Sequence, residues 1–270
     1  MNMEKAVLIT GVSGGMGLAT AKKFIANGYH VFGLDINEPK EEIESLSFIK
    51  CDLTKEKEVI DSFNIIKEET KQLELIINTA GTYMLNSLVE ISEEEFIKIF
   101  NINVFSIYRV NKTFLPLLKE KGKIIMVSSE LAPLDPLPFT GLYAITKTTI
   151  EQYAYALRME LQLLDYQVVV IRPGAVDTNL LGISTNELDK FKDSTTHYQY
   201  NAEKFKKIVD SVESKKIPPE KIANLIYKVS LKKKPKYIYK INRNKLLLLM
   251  HVLPKRLQNR IIKRLIIRKK

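Results

Sequence analysis

At 270 residues, 45% hydrophobic and 27% charged, the chain has the size and balance of one large globular domain, not of a disordered or low-complexity protein. The single cysteine, Cys51, excludes an intrachain disulfide framework, and His30, His197 and His251 lie too far apart for a local metal-ligand motif, so no metal is expected. The formal charge of +11 would suit a nucleic-acid binder, but the eleven Lys and Arg of residues 240–270, with no Asp or Glu among them, account for all of it and leave 1–239 neutral.

Met1 to Lys5 run directly into the strand-like Ala6-Val7-Leu8-Ile9-Thr10, leaving no room for a signal peptide, and cytoplasmic residence is expected. Apolar, β-branched runs then predict strands near 6–10, 30–35, 47–51, 73–78, 123–128 and 167–172, separated by helix-period segments. Runs such as Leu75-Ile76-Ile77 and Val168-Val169-Val170-Ile171 do not alternate, as expected of strands buried on both faces. The pattern predicts an α/β fold, a single Rossmann-type doubly wound parallel sheet with helices on both faces. Long helices are predicted over 93–118 and 141–164. Beyond Gly174 a substrate lid is placed at about 179–217, with a helix at 201–214. A helix opened by Pro218-Pro219 and a short strand at Tyr237-Ile238-Tyr239 complete a domain of residues 1–242. Residues 243–270 form a basic tail.

The first strand is followed by Thr10-Gly11-Val12-Ser13-Gly14-Gly15-Met16-Gly17 and a helix-period run to Asn27. Glycines there let the backbone turn and approach a pyrophosphate at a helix start. A plain tight turn would look the same in isolation. Asp35, about twenty residues on at the end of the second strand, can accept hydrogen bonds from ribose hydroxyls and would repel a 2′-phosphate. With no Lys or Arg at Ile36 or Asn37 or in the glycine loop, NAD is expected over NADP. Tyr143 and Lys147, four apart, share one helix face. A neighbouring ammonium favours the phenolate, which would bring a hydroxyl of ordinary pKa about 10 into range as a general acid/base. A solvated Tyr/Lys pair has the same spacing. The strand at 123–127 ends in Ser128-Ser129, at the carboxyl edge where such sheets bind ligands.

Taken in order, Thr10-Gly11-x-x-x-Gly15-x-Gly17, Asp35, Asp52-Leu53, Asn78-Thr79-Ala80-Gly81, Asn103, Ser129, Tyr143-x-x-x-Lys147 and Pro173-Gly174 with Thr178 resemble the short-chain dehydrogenase/reductase family, over about Lys5 to Thr178 and more weakly to Asn242. The resemblance implies an oxidoreductase in which Tyr143 exchanges a proton with the substrate oxygen while a hydride moves to or from C4 of a nicotinamide. It implies that Ser129 holds the substrate oxygen, Lys147 lowers the Tyr143 pKa and binds the ribose, and Asn103 positions a water. The cofactor would lie along Gly11, Ser13, Gly14, Gly15, Met16 and Gly17, then Asp35, Asp52 and Leu53, then Ala80 and Gly81. Tyr143, Lys147, Pro173, Gly174, Val176 and Thr178 would surround its reactive end. Ser128 competes with Ser129 and Asn101 with Asn103; the reading takes Ser129 and Asn103. Thr79 stands where the family carries a second Asn, which places stability in doubt more than catalysis. The family also implies a homo-oligomer.

In the tail, Leu246, Leu249, Met250, Leu253, Leu257, Ile261 and Leu265 recur at helical spacing among Lys and Arg, with a break at Pro254. The tail is too short in apolar residues to span a bilayer. It could pack on protein or lie on an anionic membrane surface, and its few aromatics argue against nucleic acid. The layout resembles the retinol and hydroxysteroid dehydrogenase branch, which implies a lipophilic alcohol or ketone. Two other readings keep the fold: a catalytically silent nucleotide sensor or scaffold, and an NAD-retaining lyase or epimerase. A silent descendant would be free to lose Ser129, Tyr143 and Lys147; a lyase or epimerase could keep Tyr143 and Lys147 as well.

Overall fold

The computed structural model describes residues 5–178, 188–213 and 215–267, with the side chains of 210–213 outside the description. The first nine lid residues, 179–187, and tail residues 268–270 therefore lie outside the described residues. Strands β1 (Ala6–Thr10), β2 (His30–Asp35), β3 (Leu46–Lys50), β4 (Leu73–Asn78), β5 (Leu118–Val127), β6 (Gln167–Pro173) and β7 (Ile238–Ile241) form one sheet in the order β3-β2-β1-β4-β5-β6-β7. Every pairing is parallel. The order reverses beside β1, where Thr10 pairs with Asn78 of β4. Ligand crevices of open α/β sheets form at that switch point.

Neighbouring residues of one strand serve opposite cores. Ala6 and Leu8 of β1, with Ile76, Ile124 and Val168, pack under α2 (Glu56–Glu69), α4 (Ser106–Phe114) and α5 (Gly141–Leu161). Val7 and Ile9, with Ile77, Ile125 and Val169, pack under α1 (Gly15–Ile25) and α8 (Pro219–Ser230). This two-sided burial is why the strands read as unbroken apolar runs.

The predicted helix over 93–118 is divided. Residues Glu93–Phe100 form α3, Asn101–Phe105 form a π-helical turn, α4 follows, and Leu115–Leu117 close in a 3₁₀ turn around Pro116. The extra residue of the π turn is invisible to a period of 3.6.

A third, smaller core joins the lid to the tail. A helical stretch at 188–194 (α6) and α7 (Gln199–Glu213) contribute Leu188, Phe205 and Val209, which pack with Leu85 and with Ile266 of α10 (Lys255–Ile266). The tail is two helices, α9 (Lys245–Val252) and α10, divided at Pro254 as the sequence predicts. Among the described residues no helix is long and apolar enough to cross a membrane.

Candidate active site

Two connected spaces open at the carboxyl edge of the sheet. A cleft of about 960 Å3 runs over the glycine loop and along the ends of β2 and β4. A cavity of about 140 Å3 adjoins it between the ends of β5 and β6 and the start of α5, and the two share Met16, Thr79, Gly81, Thr82 and Thr178.

The glycine loop is shaped by close approach. Gly11 has φ +72°, and a Cβ there would stand 2.8 Å from Ala80 Cα; a Cβ on Gly17 would fall on the Gly11 carbonyl oxygen. Thr79 takes up the position of the family's second Asn by donating its hydroxyl to Thr10 O at 2.5 Å, tying β4 to β1. The start of α1 carries no side-chain cap and no acidic residue in its first turn, which leaves its N–H groups and dipole available to an anion. Gly11, Ser13, Gly14, Gly15, Met16, Gly17, Ala80 and Gly81 all line the cleft. This cradle fits a dinucleotide diphosphate.

Asp35 lies at the far end of the same cleft. Its Oδ2 accepts the Ser13 N–H at 3.0 Å and its Oδ1 the Asn37 N–H at 3.1 Å, fixing the carboxylate at the strand end. Asp52 and Leu53 also line the cleft. Asp52 Oδ1 accepts from both the N–H and hydroxyl of Thr54 at 3.0 and 2.7 Å, so part of that carboxylate shapes the entry to α2. Lys40 and Lys98 line the cleft too; neither sits beside a motif in sequence, and their presence follows only from the fold.

In the cavity, Ser129 and Tyr143 share one wall, where the Ser129 hydroxyl favours the Tyr143 phenolate, and Lys147 Nζ lies 5.5 Å from the Tyr143 ring centroid. Lys147 Nζ donates to Val127 O at 3.3 Å and faces Gly81, where a Cβ would stand 3.6 Å from it. Ser128 also lines the cavity, its hydroxyl directed to Lys147 O at 3.4 Å. Pro173, Gly174, Val176 and Thr178 form the facing wall. Asn103, in the π turn, is fully buried behind Gly81: its Oδ1 accepts the Thr82 N–H at 2.8 Å, and its Nδ2 donates to Thr82 O and Thr146 Oγ1 at 3.0 and 3.1 Å. Asn101 instead lines the outer cleft and accepts from Arg109 at 3.3 Å.

The electrostatics differ from the sequence expectation at one point. Burial pushes the Tyr143 phenol above its ordinary value, against the lowering effect of Ser129. Burial also lowers Lys147 to about 8, against the raising effect of Glu151. Desolvation of two enclosed groups outweighs their proximity. The resting phenol is therefore a proton donor. One turn beyond Lys147, Glu151 receives a two-pronged bond from Arg172 of β6, with Nε donating to Oε1 at 2.7 Å and Nη2 to Oε2, while the Tyr237 hydroxyl donates to Glu151 O at 2.9 Å.

Tyr83, Glu130 and Leu247 are among the lining residues that belong to no motif. Tyr83 stacks at a tilt on Tyr143 with centroids 4.4 Å apart. Glu130 follows Ser129. Leu247 reaches the cavity from α9 of the tail. The tail is thus part of the site wall. It is held by Asp135, in the loop 131–138 that carries Pro133, Pro136 and Pro138; Asp135 pairs with Lys255, accepts from Gln258 Nε2 at 3.0 Å and lies 3.1 Å from His251 Nδ1. Of that loop, Leu131 lines the cavity, while Asp135 turns to the tail and Leu137 to the third core.

Comparison with known proteins agrees with this geometry. The family model for short chain dehydrogenases matches residues 5–189. The chain is 29% identical over 271 residues, 94% of each chain, to an NADPH-dependent 3-dehydrocapnine reductase of Ornithobacterium rhinotracheale. It is 35% identical over 201 residues to estradiol 17-beta-dehydrogenase 2 of Rattus norvegicus, a match spanning 70% of this chain and about half (52%) of that one. Among solved structures, a short chain dehydrogenase family protein from Francisella tularensis subsp. tularensis SCHU S4 superposes with a TM-score of 0.72 at 26% identity, covering 88% of this chain and 96% of the other. The chain belongs to the short-chain dehydrogenase/reductase family and is an oxidoreductase of the kind that works with a nicotinamide cofactor.

Proposed function

We propose that the protein is an NAD-dependent oxidoreductase that interconverts a lipophilic alcohol and its carbonyl, with Tyr143 as general acid/base. The observation that carries this reading is the meeting of Ser129, Tyr143 and Lys147 in one cavity that joins the dinucleotide-sized cleft through Gly81 and Met16. When bound, the nicotinamide cofactor supplies or accepts the hydride. The chain's own groups handle the oxygen and the proton. Ser129 and Tyr143 converge on the place of the substrate oxygen, and preorganised donors of this kind stabilise charge that develops there. The protonated phenol gives its proton to a carbonyl oxygen in reduction and takes it back in oxidation. The Lys147 ammonium stabilises the phenolate left behind and, standing beside Gly81, would hold the cofactor's ribose. Asn103 is a positioning residue, holding the Thr82 backbone and Thr146 at the base of that wall.

Met16, Val127, Leu131, Val176 and Leu247 give the cavity apolar walls, which supports a lipophilic substrate, as does the estradiol enzyme among the relatives. On the cofactor, two indications disagree: one relative is NADPH-dependent by name, and Lys40 borders the cleft. We give more weight to Asp35, whose carboxylate is fixed at the strand end by two backbone N–H groups and would meet a 2′-phosphate with like charge. Fluorescence titration of NADH and NADPH should find NADH at least about tenfold tighter. Equal or reversed affinities overturn the NAD assignment. NADH-linked turnover of medium-chain alcohols and ketones tests the activity itself.

Under the same proposal the protein works in the cytoplasm as a homo-oligomer. Exposed Phe96, Phe105, Tyr108, Ile145 and Tyr155 on α3, the π turn, α4 and α5 offer an apolar face to a second copy, and light scattering measures the assembly. One face of the tail packs on the body. The outward residues Leu246, Leu249 and Val252 stay exposed beside Lys245, Lys255 and Arg256, a pattern suited to the surface of an anionic membrane. Because deleting the tail would also remove Leu247 from the cavity, the membrane test is Leu249→Ser with Arg256→Glu. Loss of sedimentation with anionic liposomes is expected.

A further inference from the structure

Beyond the groups already assigned, the cavity holds one more charged side chain. Glu130 is only 6% exposed and lines the cavity with Ser129, Tyr143 and Gly174. Its backbone N–H donates to Pro173 O at 2.8 Å, which straps it to the end of β6. Oε2 accepts the Asn244 N–H at 2.6 Å, and Oε1 lies over Gly174, 2.9 Å from where a Cβ at that position would stand. Arg243 acts on the carboxylate by charge, but among the described residues no cation stands within 4.0 Å of it. Burial raises its pKa, against the lowering effects of the Asn244 N–H and Arg243.

A buried carboxylate without an ion-pair partner is a costly way to hold one backbone N–H, since an amide oxygen accepts the same bond without the charge. Anchoring Asn244 therefore accounts for the acceptor but not for the anion. Lys147 cannot be its counter-ion, because its Nζ is directed to Val127 O and Gly81.

We propose that Glu130 is a subsite for a cationic group of the substrate: the molecule carries a protonated amine within a few bonds of the carbon that changes oxidation state. Ser129 and Tyr143 then hold the oxygen, and Glu130 holds the ammonium. A cavity of about 140 Å3 leaves no room for the two to be far apart. This rests on the oxidoreductase reading and narrows its substrate class to lipophilic amino alcohols and amino ketones.

The test compares 1-aminooctan-2-ol with octan-2-ol on the full chain near neutral pH. Oxidation of either alcohol to its ketone reduces one NAD+ to NADH and releases one proton. A charge-assisted bond predicts that the native protein favours the amino alcohol in kcat/KM by at least about tenfold. Glu130→Gln, which still accepts the Asn244 N–H, should bring the ratio of the two kcat/KM values close to one, so that the amino alcohol loses at least about tenfold more than octan-2-ol. No preference in the native protein overturns the proposal, and so does an equal loss on both alcohols in the variant. Thermal shift with octylamine against octan-1-ol gives a readout free of turnover. Stabilisation by the amine alone, lost in Glu130→Gln, supports the subsite even if neither alcohol is oxidised, an outcome that would instead remove the activity reading. Absence of amine-specific stabilisation counts against the subsite.

Discussion

Lys147 Nζ stands 5.5 Å from the centroid of the Tyr143 ring, and both side chains are enclosed by protein. The folded chain thus holds an ammonium where burial opposes its charge, lowering it to about 8. Function-specific placement of this kind is bought with stability.

Lys147→Met should accordingly raise the melting temperature while abolishing turnover. Replacing a desolvated charge by an apolar side chain of similar length is worth about 1–3 kcal/mol, or several degrees for a chain of this size. The sign with pH is fixed. Between about 8 and the ordinary 10.5 the unfolded chain holds a proton at this lysine that the folded chain has lost, so native stability rises with pH there. The penalty is complete below about 8, and the advantage of the variant should shrink as pH climbs above it. Calorimetry at neutral and alkaline pH measures this; a gain that stays constant with pH would disprove the account.

Tyr143→Phe removes the proton donor but keeps the ring against Tyr83. Turnover should drop by about 10²–10⁴, with NADH affinity within about twofold, measured by absorbance and fluorescence.

How far these assignments were legible depended on whether the contacts were local. Tyr143 and Lys147 are one helical turn apart, Asp35 ends a strand, and the glycines follow one, so a periodic reading places all of them. The unbroken runs of β4 and β6 likewise declare strands covered on both faces. The helix predicted over 93–118 failed at 101–105 because a π turn adds a residue without altering composition. Glu130 meets Asn244 across 114 positions, and Leu247 reaches the cavity only because the tail folds back; no spacing rule records such meetings. The direction of the Tyr143 pKa was missed for a related reason, since proximity can be read from a sequence and desolvation cannot.

Asn103→Leu should destabilise the fold by about 2–4 kcal/mol in urea denaturation, because the Thr82 N–H and C=O lose their buried partner together.

Asp135→Ala releases the bonds to Lys255, Gln258 and His251. Trypsin should then cut at Lys255 or Arg256 faster than in the native protein. With Leu247 less well held, KM for lipophilic substrates should rise several-fold while kcat changes little.

The fork of Arg172 on Glu151 has a mechanical meaning for the helix that bears the phenol. Each residue of a helix advances the azimuth by about 100°, so a roll of α5 by even a fraction of that step would swing Tyr143 out of line with Ser129. A planar guanidinium gripping both oxygens of a carboxylate two turns away resists rolling and sliding alike. The orientational entropy of the reacting groups is surrendered when the chain folds, and an arriving substrate finds them already aimed.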